Sequence, residues 1–207
     1  MLFKNTVETY TLELLRKLQA TEELKTFYLA GGTSLALQLG HRKSIDLDLF
    51  SLEDFDNNFL LEFLEQNFDF KLDFSAKNTL KGSINNIKID IISHKYPLVK
   101  PIIQIENIFL YSIEDIAAMK LNVIAGNGTR SKDFIDIFFI LKQFRLKELL
   151  NFYKIKYSTR NLLHIVKSLN YFDEISTQDW PEMVIEKNLK LSIIKKEIEK
   201  QVKLFLK

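Results

Sequence analysis

Residues 29–50 read LAGGTSLALQLGHRKSIDLDLF, and this stretch decides the fold prediction. The short aromatic segment 26–30 predicts a strand, and the Gly31-Gly32 pair after it predicts a tight turn. Residues 34–39 predict a short helix, because Gly40 directly after them is a typical helix end. The alternation of apolar and acidic residues over 45–50 predicts a second strand.

The acidic residues of these strands predict a metal site. Side chains alternate along a strand, so Asp46 and Asp48 are expected to point to the same face. Neighbouring carboxylates repel unless a cation lies between them, and Mg²⁺ prefers oxygen ligands. Asp90, in the strand-like segment KIDII, would complete a two-metal site with ions about 4 Å apart. The alternatives are an edge strand with one wet face and an ordinary solvent-facing Asp90.

The glycine turn predicts a phosphate-binding site. Glycines between a strand and a helix let the backbone approach a phosphate, and the helix N-terminus offers free N–H groups. Thr33 and Ser34 add hydroxyl donors. The segment is not a P-loop, because no Gly-Lys-Ser/Thr follows the glycines. The alternative is that Gly31-Gly32 forms only a turn.

Two further helical segments carry charged residues within apolar surroundings. Lys120 falls in the middle of the apolar stripe of a helix over 113–125, where an unpaired ammonium is costly. It therefore either extends out along its stem or reaches an anion such as a triphosphate. In RSKDFID, Asp133 is placed to complement the helix dipole. Asp136 is deeper and needs either a partner such as Lys120 or Arg130 or a role near the metal site.

The predicted secondary structure changes along the chain, from a mixture of strands and helices to helices alone. Strands are expected over 69–74, 79–84 and 87–93, with a hairpin at Asn85-Asn86, and Ser112 is expected to cap the next helix. We therefore predict an α+β domain over residues 1–145 and a helical region over 146–207.

Composition excludes several other classes of protein. The chain has 207 residues, 46% of them hydrophobic, and no cysteine, which rules out a disulfide framework. It has neither a secretory signal nor an apolar run of membrane-spanning length, so we expect a cytoplasmic protein without membrane contact. The net charge is only +2, but lysines are concentrated after residue 142. These lysines form either a solvated helix face or a basic arm for nucleic acid.

With these residues assembled, the chain resembles the AbiEii/AbiGii toxin family of nucleotidyltransferases, the toxin components of type IV abortive-infection toxin–antitoxin pairs. The resemblance lies in residues 29–50, 88–92 (KIDII), 113–126 (IEDIAAMKLNVIAG) and 130–141 (RSKDFIDIFFIL). It implies a mixed sheet flanked by helices, as in the DNA polymerase beta superfamily, followed by a helical C-terminal region.

The resemblance also implies roles for individual residues. Gly31, Gly32, Thr33 and Ser34 would hold the triphosphate of an NTP, and Asp46 and Asp48 would bind Mg²⁺. Asp90 would be the third carboxylate, which either takes the proton of the acceptor hydroxyl or holds a second metal ion. The remaining implied site residues are Lys120 and Arg130 at the phosphates and Asp136 in the last active-site motif.

These features predict transfer of a nucleoside monophosphate from an NTP to an acceptor hydroxyl. Relatives that modify tRNA ends suggest an RNA acceptor, and an antitoxin partner is expected by analogy. Two alternatives stay open: a non-catalytic protein-binding module on the same fold, and a nucleotidyltransferase that modifies a small molecule such as an antibiotic.

Overall fold

The computed structural model describes residues 1–159 and 161–207, which form two compact units. We call residues 1–96 and 102–111 the sheet unit, and residues 97–101 and 112–207 the helical unit. The chain therefore passes between the units three times. The domain boundary predicted between residues 145 and 146 stays a prediction.

The sheet unit is built on one mixed β-sheet. Its strands are β1 Tyr28–Leu29, β2 Leu47–Ser51, β3 Lys71–Ala76, β4 Thr79–Ile84, β5 Ile87–Ser93, β6 Ile103–Ile105 and β7 Ile108–Leu110. They lie in the order β3-β4-β5-β2-β1-β7-β6. Strands β2 and β5 are parallel, as are β1 and β7, whereas the other neighbours are antiparallel. The predicted α+β class is confirmed.

Burial alternates along the central strands and gives the sheet two different faces. Leu47 and Leu49 of β2 and Ile89 and Ile91 of β5 are fully buried in the apolar core. Because alternate side chains point to opposite faces, the other face of these two strands carries their acidic residues. Three helices belong to the same unit: α1 Thr9–Gln19, α2 Gly31–Leu39 and α3 Asn57–Phe68.

The helical unit contains five helices in the part of the chain that the structure describes. They are α4 Ile113–Asn127, α5 Ser131–Ile140, α6 Leu146–Tyr157, α7 Leu163–Ser168 and α8 Leu191–Phe205. Helix α4 packs against α5, α6 and α7, and α8 packs against α5 and α6. None of the described helices is long and apolar enough to span a bilayer.

A buried ion pair ties the short segment 97–101 to this unit. The ammonium of Lys156 lies 2.8 Å from Asp115 Oδ1, and both side chains are fully buried. The Asp115 carboxylate also accepts the backbone N–H groups of Val99 and Lys100 at 3.0 and 3.1 Å, and the hydroxyl of Ser112 at 2.7 Å. Four donors around one carboxylate satisfy its hydrogen-bonding capacity inside the protein.

Some predicted element boundaries are confirmed and others are wrong. Strands β4 and β5 have the predicted bounds, and Ser112 caps α4 by accepting the N–H of Asp115. The strand predicted over 45–50 runs from Leu47 to Ser51, and the strand predicted over 69–74 runs from Lys71 to Ala76.

Candidate active site

Helix α2 begins directly against an acidic side chain of β2. Gly31 is the first residue of the helix and has a φ of +63°, in the region that favours glycine. A Cβ built on Gly31 would lie 1.8 Å from Asp48 Oδ2, which no side chain tolerates. Glycine is therefore required for the helix N-terminus to approach this carboxylate, and the helix dipole favours a negative charge there. The glycines lie in the first turn of α2, not in a separate turn before it.

Asp48 and Asp90 lie side by side on neighbouring strands. They are register partners in the parallel pair of β2 and β5, whose backbones are about 4.8 Å apart. Both side chains are half-buried. The ammonium of Lys81, on β4, lies 2.8 Å from Asp90 Oδ2. Asp90 Oδ1 is buried and accepts no hydrogen bond from the residues that the structure describes.

Asp46 is placed differently from its sequence neighbour Asp48. It lies one residue before β2 begins at Leu47, and its side chain is exposed. Within residues 1–159 and 161–207, no three acidic or histidine side chains are grouped closely enough to hold a metal ion. The three-carboxylate site of Asp46, Asp48 and Asp90 therefore stays a prediction.

The carboxylates that do lie together fit a divalent cation. Asp48 and Asp90 provide hard oxygen donors at one register position, and one oxygen of Asp90 lacks a donor although it is buried. A buried acceptor without a partner costs free energy, and a bound cation would remove this cost. When bound, such an ion would neutralise phosphate charge and polarise the reacting phosphoryl group.

The hydroxyl groups after the two glycines have partners inside the fold. Thr33 Oγ1 donates to the carbonyl oxygen of Asp46 and lies 2.8 Å from Ser44 Oγ. Ser34 is fully buried, and its hydroxyl accepts from the Gln38 amide at 3.1 Å. Thr33 thus holds the chain just before β2 against α2. The roles of Gly31, Gly32, Thr33 and Ser34 in triphosphate binding stay predictions.

Two cations near these residues were not identified from the sequence. Arg42 is only 3% exposed, and a Cβ built on Gly32 would lie 2.4 Å from its Nη2 atom, so its guanidinium rests against the first turn of α2. Its Nη1 donates to the carbonyl of Lys43 at 3.0 Å. Lys81 is the ion-pair partner of Asp90. Nothing in the polar segment 41–44 marks Arg42 as a buried residue. Only the β4–β5 register could have indicated Lys81.

The helical unit holds the second group of predicted site residues. The Lys120 ammonium lies 2.6 Å from Asp133 Oδ1 and 2.8 Å from Asp136 Oδ2, and all three side chains are at most 10% exposed. Arg130 Nε lies 3.8 Å from Asp133 Oδ2. The expectation that Lys120 needs an anion and Asp136 a partner is thus met by an internal ion-pair cluster. The roles of Lys120, Arg130 and Asp136 in phosphate chemistry stay predictions.

Comparison with solved structures defines the class of fold. A crystal structure of a candidate nucleotidyltransferase from H. pylori superposes with a TM-score of 0.55 at 18% identity, covering 94% of this chain and 91% of that one. The antibiotic-resistance factor ANT(2'')-Ia superposes with a TM-score of 0.54 at 14% identity, covering 70% of this chain and 89% of that one. At such low identity these similarities establish the fold, which is that of the nucleotidyltransferases.

The sequence then identifies the family. Residues 13–193 match the model of the nucleotidyl transferase AbiEii toxin family of type IV toxin–antitoxin systems, so the chain belongs to this family and is a nucleotidyltransferase. An uncharacterized protein of Aquifex aeolicus (strain VF5) is 34% identical over 168 residues, which cover 78% of this chain and 81% of that protein. The family in general acts on an NTP with a divalent metal ion and has a type IV antitoxin as partner.

Proposed function

We propose that this chain transfers a nucleoside monophosphate from an NTP to a hydroxyl group of RNA, in a Mg²⁺-dependent reaction, as the toxin of a type IV toxin–antitoxin pair. One observation carries the proposal. Asp48 and Asp90 share a register position on adjacent parallel strands, and a helix N-terminus that only glycine permits lies against Asp48. Paired carboxylates beside free backbone N–H groups can hold a cation and a polyphosphate together.

The reaction needs little covalent chemistry from the protein. An oxygen of the acceptor hydroxyl forms a bond to the α-phosphorus, the bond from that phosphorus to the bridging oxygen breaks, and pyrophosphate leaves. The hydroxyl proton passes to Asp90 when Asp46 and Asp48 alone hold the cation, and to water when Asp90 Oδ1, which has no hydrogen-bond partner among the described residues, is a metal ligand. Positioning and charge neutralisation then supply most of the rate acceleration.

The other predicted residues have supporting roles in the proposal. Asp46 precedes Asp48 on the exposed approach to β2 and would join it in metal binding. Gly31, Gly32, Thr33 and Ser34 form the first turn of α2, where backbone N–H groups would contact the triphosphate. Lys120, Arg130 and Asp136 are kept as candidates for phosphate contacts.

Transfer of label from NTPs is the direct test. The protein is incubated with Mg²⁺, each α-labelled NTP in turn, and either total RNA or a panel of small hydroxyl compounds, including aminoglycosides. We expect label in RNA, abolished by Asp48→Asn and by Asp46→Ala with the fold intact. Asp73→Asn, which changes an exposed acid on β3, is the matched control and should label normally.

Each result bears on a different part of the proposal. Normal labelling by Asp48→Asn would remove Asp48 from the site. Label in a small compound but not in RNA would show a small-molecule nucleotidyltransferase. No Mg²⁺-dependent thermal shift with any NTP would favour a protein-binding module. Growth arrest on expression of the wild type, but not of Asp48→Asn, tests the toxin role.

A further inference from the structure

The two units carry opposite net charge. The sheet unit contains 11 lysines and arginines against 15 aspartates and glutamates, whereas the helical unit contains 18 against 12. The small net charge of the whole chain therefore conceals a basic helical unit. Basic patches of this kind attract polyanions over distances of about a Debye length.

Three of these 18 basic residues lie along one side of α8. Ile194, Ile198 and Val202 recur every four residues and are buried. The opposite side carries three exposed lysines at spacings of four and three residues: Lys196, Lys200 and Lys203. Lys200 pairs with Glu197 at 3.1 Å, whereas no carboxylate of residues 1–159 and 161–207 pairs with Lys196 or Lys203. At 1.5 Å of rise per residue, the three ammonium groups span about 10 Å of the helix.

A groove of about 740 Å³ lies at the end of the same helix. It is lined by residues from the start of α6 and the end of α8, namely Arg145, Leu146, Lys147, Gln201, Leu204 and Phe205. Leu204 and Phe205 are 57% and 37% exposed, so both apolar side chains are accessible to a ligand. The groove thus combines an accessible aromatic ring with two cations at its edge.

We propose that the lysine side of α8 and the adjoining groove form a docking surface for single-stranded RNA. Regularly spaced ammonium groups match the regular charges of a phosphate backbone, and Phe205 offers its ring to a base. A membrane surface fits less well, because the apolar side of α8 is buried within the unit and cannot enter lipid. The inference rests on the proposed RNA acceptor, but it concerns binding and is measured without NTP.

Fluorescence anisotropy with a labelled mixed-sequence RNA 20-mer tests the surface. The triple variant Lys196→Gln, Lys200→Gln, Lys203→Gln should bind about tenfold more weakly at low salt. For this variant, the slope of log K against log salt concentration should be less steep by about 2, because each lost phosphate contact removes about 0.7 from the slope. The matched control, Lys17→Gln, Lys71→Gln, Lys77→Gln, removes the same charge from exposed positions of the sheet unit and should bind like the wild type.

A separate variant tests the groove, and its effect on the salt dependence of RNA binding should differ from that of the lysine variant. Phe205→Ala should weaken RNA binding about five- to hundredfold without changing the salt slope, because stacking releases no counterions. Phe59→Ala, at an exposed phenylalanine of α3, is its control and should have no effect. Each of the four variants counts as folded if its melting temperature lies within about 2–3 °C of that of the wild type. This shift corresponds to about 1 kcal/mol in the free energy of unfolding.

Four outcomes decide the inference. Weaker binding by the lysine variant and by Phe205→Ala, with both controls unchanged, supports it. Unchanged RNA affinity in the lysine variant overturns it. Binding of polyglutamate as tight as that of RNA overturns it in favour of an acidic polypeptide. If the proposed transfer fails in every assay while the RNA-binding results hold, the docking surface stands and the enzymatic proposal falls.

Discussion

The acids of the two units differ in how completely the fold satisfies them. In the helical unit, Asp115 has its own buried lysine and three further donors, whereas Asp133 and Asp136 share Lys120, and Asp133 Oδ2 accepts no hydrogen bond from the described residues. On the sheet, Asp48 and Asp90 lie at one register position, and a buried oxygen of Asp90 accepts no hydrogen bond from the described residues. Internally matched charges stabilise one packing arrangement, whereas an acid with spare capacity is suited to bind a ligand.

The largest effect is expected at the fully buried pair of the helical unit. Lys156→Met leaves the Asp115 carboxylate buried without its cation, which should lower the free energy of unfolding by about 3–5 kcal/mol. The melting temperature should fall by roughly 6–20 °C in differential scanning calorimetry. Lys154→Met, at an exposed position of the same helix, should change it by less than about 2 °C. Equal melting temperatures for the two variants would contradict a structural role for this pair.

A second test asks whether Lys120 is structural. Lys120→Met should cost about 3 kcal/mol of stability, because two buried carboxylates then lack a cation. Adding Asp133→Asn and Asp136→Asn to Lys120→Met removes both charges and should restore most of that loss. If the triple variant is stable but binds NTP far more weakly than the double variant Asp133→Asn, Asp136→Asn in calorimetric titration, Lys120 also contacts phosphate. Unchanged NTP affinity would remove the phosphate role.

A pair of glycine substitutions compares the two units directly. Gly31→Ala forces a side chain into positive φ and against Asp48, which should destabilise the protein by about 2 kcal/mol and abolish nucleotidyl transfer. Gly126→Ala, in α4, meets no atom within 4 Å and should stabilise by about 0.5–1 kcal/mol. Urea denaturation and the labelling assay measure both effects. Full activity in Gly31→Ala would show that close approach of α2 to Asp48 is unnecessary.

The smallest change in stability is expected at the ion pair on the sheet. Lys81 is 38% exposed, so Lys81→Met should change the free energy of unfolding by less than about 1 kcal/mol. It should nevertheless raise the affinity for Mg²⁺ about tenfold, because a positive charge beside Asp90 is lost. Titration of Mg²⁺ followed by melting temperature measures this, with Lys71→Met on β3 as control. No difference between the two variants would place the cation away from Asp90.

Local periodicity predicted those elements whose burial follows the sequence pattern. Strands β4 and β5 alternate buried and accessible residues, and both residues of the Asn85-Asn86 turn have positive φ, as predicted. The three-residue strand β6 was missed, because it is too short to show a period and follows Pro101.

The candidate site was only partly predictable, because several of its contacts depend on long-range pairing. The sequence predicted that Gly31-Gly32 lets the backbone approach a phosphate, but it did not predict that Gly31 lies against Asp48. The pairing of Lys81 with Asp90 required the β4–β5 register, and the position of Arg42 against Gly32 required the packing of a loop on α2. Asp46 was assigned to a strand because apolar and acidic residues alternate over 45–50. This alternation does not determine at which residue hydrogen bonding to the neighbouring strand begins, and β2 begins at Leu47.

The Asp115 carboxylate has a practical consequence for anyone who wishes to express the two halves separately. A fragment that starts at Ser112 would lack the amides of Val99 and Lys100, and so would lose two of the four donors to a fully buried anion. Simple truncation should therefore yield an unstable polypeptide, whatever its catalytic state. A circular permutation or a fusion that retains residues 97–101 is the rational way to isolate the C-terminal half.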